Sequence, residues 1–275
     1  MTPTTRTPDP TTRTQDPTTG TRRLRPGLDV DLAEAGAGRT ALVLHGGGGP
    51  RTVDGLARHL AGSMRAVTPT HPGWNGTDRS AAVRTVADLT DAYLGLLAAD
   101  DTRGAVVVGS SIGGWIGMEA ALRDTDGRIG ALVLVNSVGV LIEGEPIRDV
   151  SALGPRGLAE HAYHDPGRFA VDPAGLTPAQ AAVQRANAAA LKDLAGDPYM
   201  HDPGLLARLG GLRVPTLVLW GAADGIVTPA YGRRLADAIP DARFELLPEA
   251  GHLPQIERPG ATFEAIDAFL RDSGR

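Results

Sequence analysis

Short apolar runs alternate with longer segments of helical periodicity along most of the chain. Runs such as AVVV (105–108) and ALVLV (131–135) are continuous and end at polar or glycine residues, which is typical of strands buried on both faces of a parallel sheet. The pattern predicts strands at 28–36, 41–44, 65–68, 105–108, 131–135, 216–220 and 243–247, and helices at 52–61, 81–99, 112–123, 230–238 and 260–271. This alternation predicts an α/β fold with a doubly wound, mostly parallel sheet.

The alternation stops over residues 137–211, which contain no convincing strand. The clearest element there is a helix over 178–195. Thr177 is a good N-cap, Pro178 suits the first helical position, and Gln180 completes a capping box. We predict that 137–211 is a helical cap inserted over the carboxyl ends of the strands, where ligands bind in such sheets.

The first 22 residues are rich in Thr and Pro and repeat short motifs, so we predict a disordered tail over 1–22. The core of the fold is then expected in 23–136 and 212–275, on either side of the cap. The tail lacks the apolar block of a secretory signal, and no segment approaches the ~20 apolar residues of a membrane span. We therefore expect a cytoplasmic protein.

Composition narrows the range of partners and reactions. Cysteine is absent, which excludes disulfides, thiolate nucleophiles and thiolate-bound metals. The net charge of −5 argues against nucleic acid or an anionic membrane surface as a partner. We expect a small-molecule substrate, and a monomer or homodimer.

The stretch GSSIGG (109–114) lies between a predicted strand and a predicted helix. It contains G-x-S-x-G, in which the central serine stands on a sharp strand-to-helix turn that exposes its hydroxyl. Side chains two residues away on either side would collide as the helix folds back over the strand. Centred on Ser111, both of these positions are glycine, whereas centred on Ser110 they would be Val108 and Ile112. The pattern predicts Ser111 as a nucleophile, with a serine that only caps a helix as the alternative.

A second glycine-rich stretch, HGGGGP (45–50), follows the strand predicted at 41–44. A phosphate-binding loop is one interpretation, but no G-K-[ST] follows the glycines. The other is an oxyanion loop, whose backbone N–H would act together with the N–H of Ile112. A flexible glycine turn is the third. We predict a structural role for His45, because it stands at the root of the loop.

A general base and an acid to orient it are expected at the same edge of the sheet. His252 follows the last predicted strand and Asp224 follows the one before it. Asn136 and Ser137, at the end of the preceding strand, offer no carboxylate that could replace Asp224. Asp224 alone could be a turn residue, and Glu249 is predicted to be a solvated loop charge. The order Ser111…Asp224…His252 makes these three the candidate catalytic residues.

Five motifs along the chain carry a resemblance to a known family: HGGGG (45–49), HPGWNGTD (71–78), GSSIGG (109–114), VPTLVLWGAAD (214–224) and AGHLPQIERP (250–259). Because of these motifs, the chain resembles the α/β-hydrolase superfamily over residues 24–272. The resemblance implies a sheet of about eight strands, a Ser–Asp–His triad and a helical cap. It also implies that Gly47 and Ile112 are the oxyanion donors.

We expect a serine hydrolase that cleaves a small to medium carboxylic ester or lactone through an acyl-enzyme on Ser111, with no metal or organic cofactor. Gly46, Trp74 and Trp115 are candidate pocket residues, although aromatic residues are more often packed core. One alternative is a hydrolase of carbon–carbon bonds in a dienoic diketone, and another is a peracid-forming, haloperoxidase-like enzyme. A ligand-binding protein of the same fold without catalytic activity stays open.

Overall fold

The structure is a computed structural model and describes residues 16–274. Its strands are β1 (Thr18–Arg25), β2 (Leu28–Ala35), β3 (Thr40–Leu44), β4 (Arg65–Pro69), β5 (Ala105–Ser110), β6 (Ile129–Val135), β7 (Gly139–Val140), β8 (His201–Asp202), β9 (Thr216–Gly221) and β10 (Arg243–Leu247). Its α-helices are α1 (Asp54–Ala61), α2 (Val86–Ala99), α3 (Ile112–Arg123), α4 (Pro155–Ala162), α5 (Pro166–Phe169), α6 (Pro178–Ala195), α7 (Leu205–Arg208), α8 (Pro229–Asp237), α9 (Pro254–Glu257) and α10 (Pro259–Asp272). Between residues 16 and 274, no helix combines the length and apolar character needed to cross a membrane.

Eight strands form one sheet in the order β1-β2-β4-β3-β5-β6-β9-β10. The pairs β1–β2 and β2–β4 are antiparallel, and every other pair is parallel. The chain leaves β3 for β4 on one side and returns to β5 on the other, so the strand order reverses between β3 and β5. The predicted mostly parallel, doubly wound sheet is confirmed, and its ligand-binding edge is expected at this reversal.

Helices cover both faces of the sheet, which explains the unbroken apolar runs of its central strands. In β5, Val107 packs in a layer that contains Leu89 of α2. Its neighbour Val106 packs on the opposite face, in a layer with Leu56 of α1 and Phe269 of α10. A strand buried on both sides needs apolar residues at every position, not at alternate ones.

A mainly helical insertion, called the cap below, lies between β6 and β9 and contains α4 to α7. Its longest helix, α6, has the predicted bounds, and the capping box forms between Thr177 and Gln180. The expectation that this segment contains no strand is wrong, because β7 and β8 pair in parallel. Each of these strands has two residues, too few to produce a periodic pattern.

The predicted tail over 1–22 extends too far. Residues 1–15 lie outside the described residues, but Thr18–Arg25 forms β1 and pairs with β2. This is an edge strand with mostly exposed side chains, so it has no apolar pattern to reveal it. Polar contacts reinforce the pairing, such as the hydrogen bond from Thr21 Oγ1 to Asp31 Oδ1 at 2.6 Å.

Candidate active site

Ser111 lies between β5 and α3, on the strand-to-helix turn expected from the sequence. Its backbone has φ 55° and ψ −119°, in the left-handed half of backbone space that side chains other than glycine rarely adopt. A Cβ at Gly109 would overlap the Gly113 carbonyl, and a Cβ at Gly113 would overlap the Leu44 carbonyl of β3. Both glycines are therefore needed for α3 to fold back against the sheet. Strain of this kind, about 1–3 kcal/mol, tends to occur at functional sites.

Replacing Gly113 by alanine is expected to lower the free energy of unfolding by about 3 kcal/mol, since the new methyl group meets rigid backbone. Gly95 in α2 is a matched control, because nothing lies within 4 Å of a Cβ built there. Gly95→Ala should leave stability unchanged or raise it by up to about 1 kcal/mol. Urea unfolding of both variants measures this, and equal stabilities would contradict the close packing of the turn.

The structure brings the three candidate catalytic side chains into one hydrogen-bonded row. His252 Nε2 lies 3.0 Å from Ser111 Oγ, and His252 Nδ1 lies 2.8 Å from Asp224 Oδ2. Because a carboxylate only accepts, Nδ1 carries the proton and Nε2 is left to accept the serine proton. All three residues are buried, with exposed fractions of 7% for Ser111, 9% for His252 and 4% for Asp224.

Sequence reasoning missed a side chain that holds Asp224. Asn136, directly after β6, donates from Nδ2 to Asp224 Oδ2 at 2.6 Å and accepts from the Gly221 N–H at 3.2 Å. The other carboxylate oxygen accepts from the backbone N–H groups of Ile226 and Val227 at 2.8 and 3.1 Å. With four hydrogen-bond donors in total, the carboxylate of Asp224 is held in one orientation. The position of Asn136 at the end of a strand was the available signal.

A second residue that the sequence did not reveal, Glu257, ties the histidine loop to the cap. Its Oε2 accepts from the Gly251 N–H at 2.6 Å, next to His252. Its Oε1 accepts from the backbone N–H groups of His164 and Asp165 in the cap, at 2.9 and 3.1 Å. The loop that carries His252 is therefore seated against cap backbone. Nothing in the local pattern around Glu257 marks it for this role.

The glycine-rich loop lies directly above the serine turn. A Cβ at Gly46 would lie 3.0 Å from Ser111 Cβ and 3.3 Å from the Ser110 carbonyl oxygen, so the two segments are in close contact. Ile112 is the first residue of α3, and the first turn of a helix leaves its N–H groups without intrahelical partners. The candidate donors of Gly47 and Ile112 thus belong to the two segments that meet at Ser111.

The candidate pocket residues Trp74 and Trp115 are both buried. The Trp74 indole donates to the Gly47 carbonyl at 2.9 Å and stands edge-on to His45 and His71. Trp115 packs against Gly139, and it lines a cavity of about 230 Å³ between α2, α3 and the cap. Trp74 therefore supports the glycine loop directly.

Beneath the glycine loop lies a buried pair of histidines. His45 Nδ1 donates to the Gly46 carbonyl at 2.7 Å, and its Nε2 accepts from the His71 N–H at 3.0 Å. His71 Nε2 donates to the His45 carbonyl at 3.1 Å, and its Nδ1 accepts from the Tyr93 hydroxyl at 2.6 Å. Because Nε2 of His45 faces a backbone N–H donor, it carries no proton, and the His45 ring is neutral. Burial lowers the pKa of His45 to about 4 and lowers the pKa of His71 well below its usual value.

The free energy of unfolding is expected to fall as the pH drops from about 6.5 toward 4. The unfolded chain takes up a proton at His45 near pH 6.5, whereas the folded protein excludes it until about pH 4. The free energy of unfolding therefore falls by about 3 kcal/mol on acidification, because the proton binds to the unfolded chain and not to the folded protein. Urea unfolding between pH 7.5 and 4.5 should show a shallower dependence of the unfolding free energy on pH in His45→Gln than in the wild type. Equal slopes in the wild type and His45→Gln would refute this origin.

An eight-stranded, mostly parallel sheet with a serine on a strained strand-to-helix turn defines the class of α/β-hydrolase folds. The chain matches the model of the Alpha/beta hydrolase family over residues 41–265 and belongs to that family. It is 30% identical to a pimeloyl-[acyl-carrier protein] methyl ester esterase of Aromatoleum aromaticum, over 84% of this chain and 97% of that protein. It is 34% identical to the polyketide synthase ThaQ of Burkholderia thailandensis over 92% of this chain, but the match spans only 13% of the synthase. A meta-cleavage product hydrolase from Pseudomonas fluorescens IP01 has a similar fold, with a TM-score of 0.74, 20% identity, and coverage of 91% of this chain and 97% of that one.

Proposed function

We propose that the protein is a serine hydrolase that cleaves a small to medium carboxylic ester or lactone through an acyl-enzyme on Ser111. The observation that carries the proposal is the continuous row from Ser111 Oγ to His252 to Asp224, with separations of 3.0 and 2.8 Å. A serine, a base and a fixed acid at these distances are the parts required for acyl transfer.

In the first half of the reaction, His252 Nε2 accepts the proton of Ser111 as Oγ attacks the ester carbonyl carbon. Asp224 stabilises the imidazolium that forms. The N–H groups of Gly47 and Ile112 hold the oxyanion, and each such donor is worth roughly 2.7–4 kcal/mol. The intermediate collapses to the acyl-enzyme, and the leaving alcohol takes the proton from His252.

In the second half, His252 removes a proton from water, and the hydroxide attacks the acyl carbonyl. Collapse of the second intermediate releases the acid and returns the proton to Ser111. Each step moves one proton between His252 Nε2 and an oxygen atom, and the reaction balances with one water molecule consumed per ester bond.

An ester substrate is supported by the relative from Aromatoleum aromaticum, whose name is that of a methyl ester esterase. The site lies beneath the cap, and each of its three residues is less than a tenth exposed. Such enclosure favours a substrate of limited size. A carbon–carbon bond hydrolase would use the same groups, so the bond cleaved is decided by assay.

The test has two arms. A fluorophosphonate probe should label the purified protein once, and p-nitrophenyl esters of graded chain length and simple lactones should be hydrolysed with a preference for short or medium acyl groups. Absence of labelling and of hydrolysis would support the alternative of a binding protein without activity. Labelling with faster turnover of a dienoic diketone than of any ester would assign the enzyme to carbon–carbon cleavage.

A further inference from the structure

The loop of four glycines above Ser111 has each of its carbonyl groups held by a different side chain. A loop of consecutive glycines loses more conformational entropy on ordering than any other sequence, so external contacts must set its shape. The carbonyls of Gly46, Gly47, Gly48 and Gly49 accept, in order, from His45 Nδ1 at 2.7 Å, Trp74 Nε1 at 2.9 Å, Asn187 Nδ2 at 3.1 Å and Thr52 Oγ1 at 2.7 Å.

Asn187 differs from the other three because it belongs to the cap. It lies in α6, 6% exposed, and bridges two core loops. Its Oδ1 accepts from the Asn75 N–H at 2.7 Å while its Nδ2 donates to Gly48. One partner is a donor and the other an acceptor, so the orientation of the amide is determined and no carboxylate could satisfy both.

The contact of Asn187 reaches the candidate oxyanion donor through two peptide groups. The Gly48 carbonyl that Asn187 holds belongs to the same peptide as the Gly49 N–H, which donates to the Gly46 carbonyl at 3.1 Å. That carbonyl belongs in turn to the peptide that carries the Gly47 N–H. Because a trans peptide is planar and its C=O and N–H point in opposite directions, holding one group orients the other.

Apolar contacts from the same face of α6 accompany the hydrogen bonds. A Cβ at Gly47 would lie 2.5 Å from Leu191 Cδ2, and one at Gly73 would lie 3.2 Å from Ala190 Cβ. Asn187, Ala190 and Leu191 are spaced three and four residues apart, so they share one face of the helix. The cap helix is thus seated on the glycine loop and on the loop that follows β4.

We propose that Asn187 is a positioning residue through which docking of the cap sets the direction of the Gly47 N–H. The inference rests on the proposed serine hydrolase function and deepens it. When α6 is seated, the oxyanion donor is aligned; without the Asn187 amide, the four-glycine loop is freer and the donor is misaligned for part of the time. We therefore expect Asn187 to stabilise the transition state, in which the oxyanion forms, and not to affect binding of the ester.

Asn187→Ala should lower kcat by about tenfold with KM changed by less than about twofold, a smaller loss than the roughly 10²–10³ from removing a whole oxyanion donor. Binding of an alkyl boronic acid, which forms a tetrahedral adduct on serine, should weaken by the same factor as kcat/KM. Asn187→Asp should lower kcat further, since it places a second acceptor next to the Gly48 carbonyl oxygen. Its kcat relative to wild type should recover as the pH falls and the new carboxyl gains a proton to donate.

Gln184→Ala is the matched control, because Gln184 is exposed on the same helix. It should leave kcat, KM and boronic acid binding unchanged. Thermal unfolding of each variant shows whether the fold is kept. Asn187→Leu tests whether a side chain of similar size but without hydrogen bonds is enough to keep kcat. A raised KM with unchanged kcat in Asn187→Ala, or full kcat in Asn187→Leu, would overturn the inference. If the wild type is not labelled by the fluorophosphonate, the proposed function fails instead.

Discussion

Replacing Ser111 by alanine is expected to abolish covalent labelling by a fluorophosphonate and to lower ester hydrolysis by roughly 10⁶-fold, the loss typical of a triad without its nucleophile. Ser111 Oγ lies 3.0 Å from His252 Nε2. Alanine leaves the base with nothing to deprotonate, and residual turnover then depends on the oxyanion donors and binding alone. Intact-mass spectrometry after labelling and an assay with a p-nitrophenyl ester measure both effects.

Ser110→Ala provides the contrast, since it removes a hydroxyl one residue away. Ser110 is the last residue of β5, is buried, and its Oγ accepts from Gln255 Nε2 at 3.3 Å. Losing that long hydrogen bond should leave labelling measurable and activity within about tenfold of wild type. If Ser110→Ala prevents labelling and Ser111→Ala permits it, the assignment of the nucleophile is wrong, although the fold is unaffected.

Asp224→Asn should lower kcat by about 10⁴-fold with the fold intact, as in other triads where the acid becomes an amide. Asp224 accepts from His252 Nδ1 at 2.8 Å and from Asn136 Nδ2 at 2.6 Å through the same oxygen, Oδ2. The backbone N–H groups of Ile226 and Val227 occupy the other oxygen. In either orientation of the new amide, its NH₂ group faces hydrogen-bond donors, because both oxygens of Asp224 accept. His252 therefore loses its hydrogen-bond partner or moves its proton from Nδ1 to Nε2.

Glu249→Gln is the control for Asp224→Asn. Glu249 is close to His252 in sequence, but its side chain is exposed and forms an ion pair with Arg258 at 2.5 Å. Exposed pairs are worth about 0–1 kcal/mol, so this change should leave kcat and stability nearly unchanged. Stopped-flow or steady-state kinetics with an activated ester compare the two variants. A loss of activity in Glu249→Gln with little effect in Asp224→Asn would transfer the acid role to Glu249.

Local signals predicted the elements that position the candidate site. The apolar run of β5 and the glycines at 109 and 113 placed Ser111 on its turn, and the bounds of α6 and β10 agree with the prediction. Each rests on contacts within a few residues, such as a capping box or a strand-to-helix turn. The order of strands also brought Ser111, Asp224 and His252 to one edge, because parallel strands end together.

The supporting contacts could not be predicted in this way. From its residue type Asn136 only lacks a carboxylate, yet in the structure its amide holds Asp224. Glu257 and Asn187 join the cap to loops of the core through hydrogen bonds to backbone atoms distant in sequence. Backbone N–H and C=O groups are the same at every position, so no residue type marks which of them a side chain will meet.

The sequence by itself determined the class of fold, the serine turn and the chain order of the three candidate catalytic residues. These depend on periodicity, on glycines required by close backbone approach, and on which residues follow each strand. Only the tertiary structure decided that β1 exists, that the aromatic side chain of Trp74 supports the glycine loop, and that the cap reaches this loop through Asn187. Each of these depends on pairing between segments far apart in the chain, where geometry selects the partner and local composition does not.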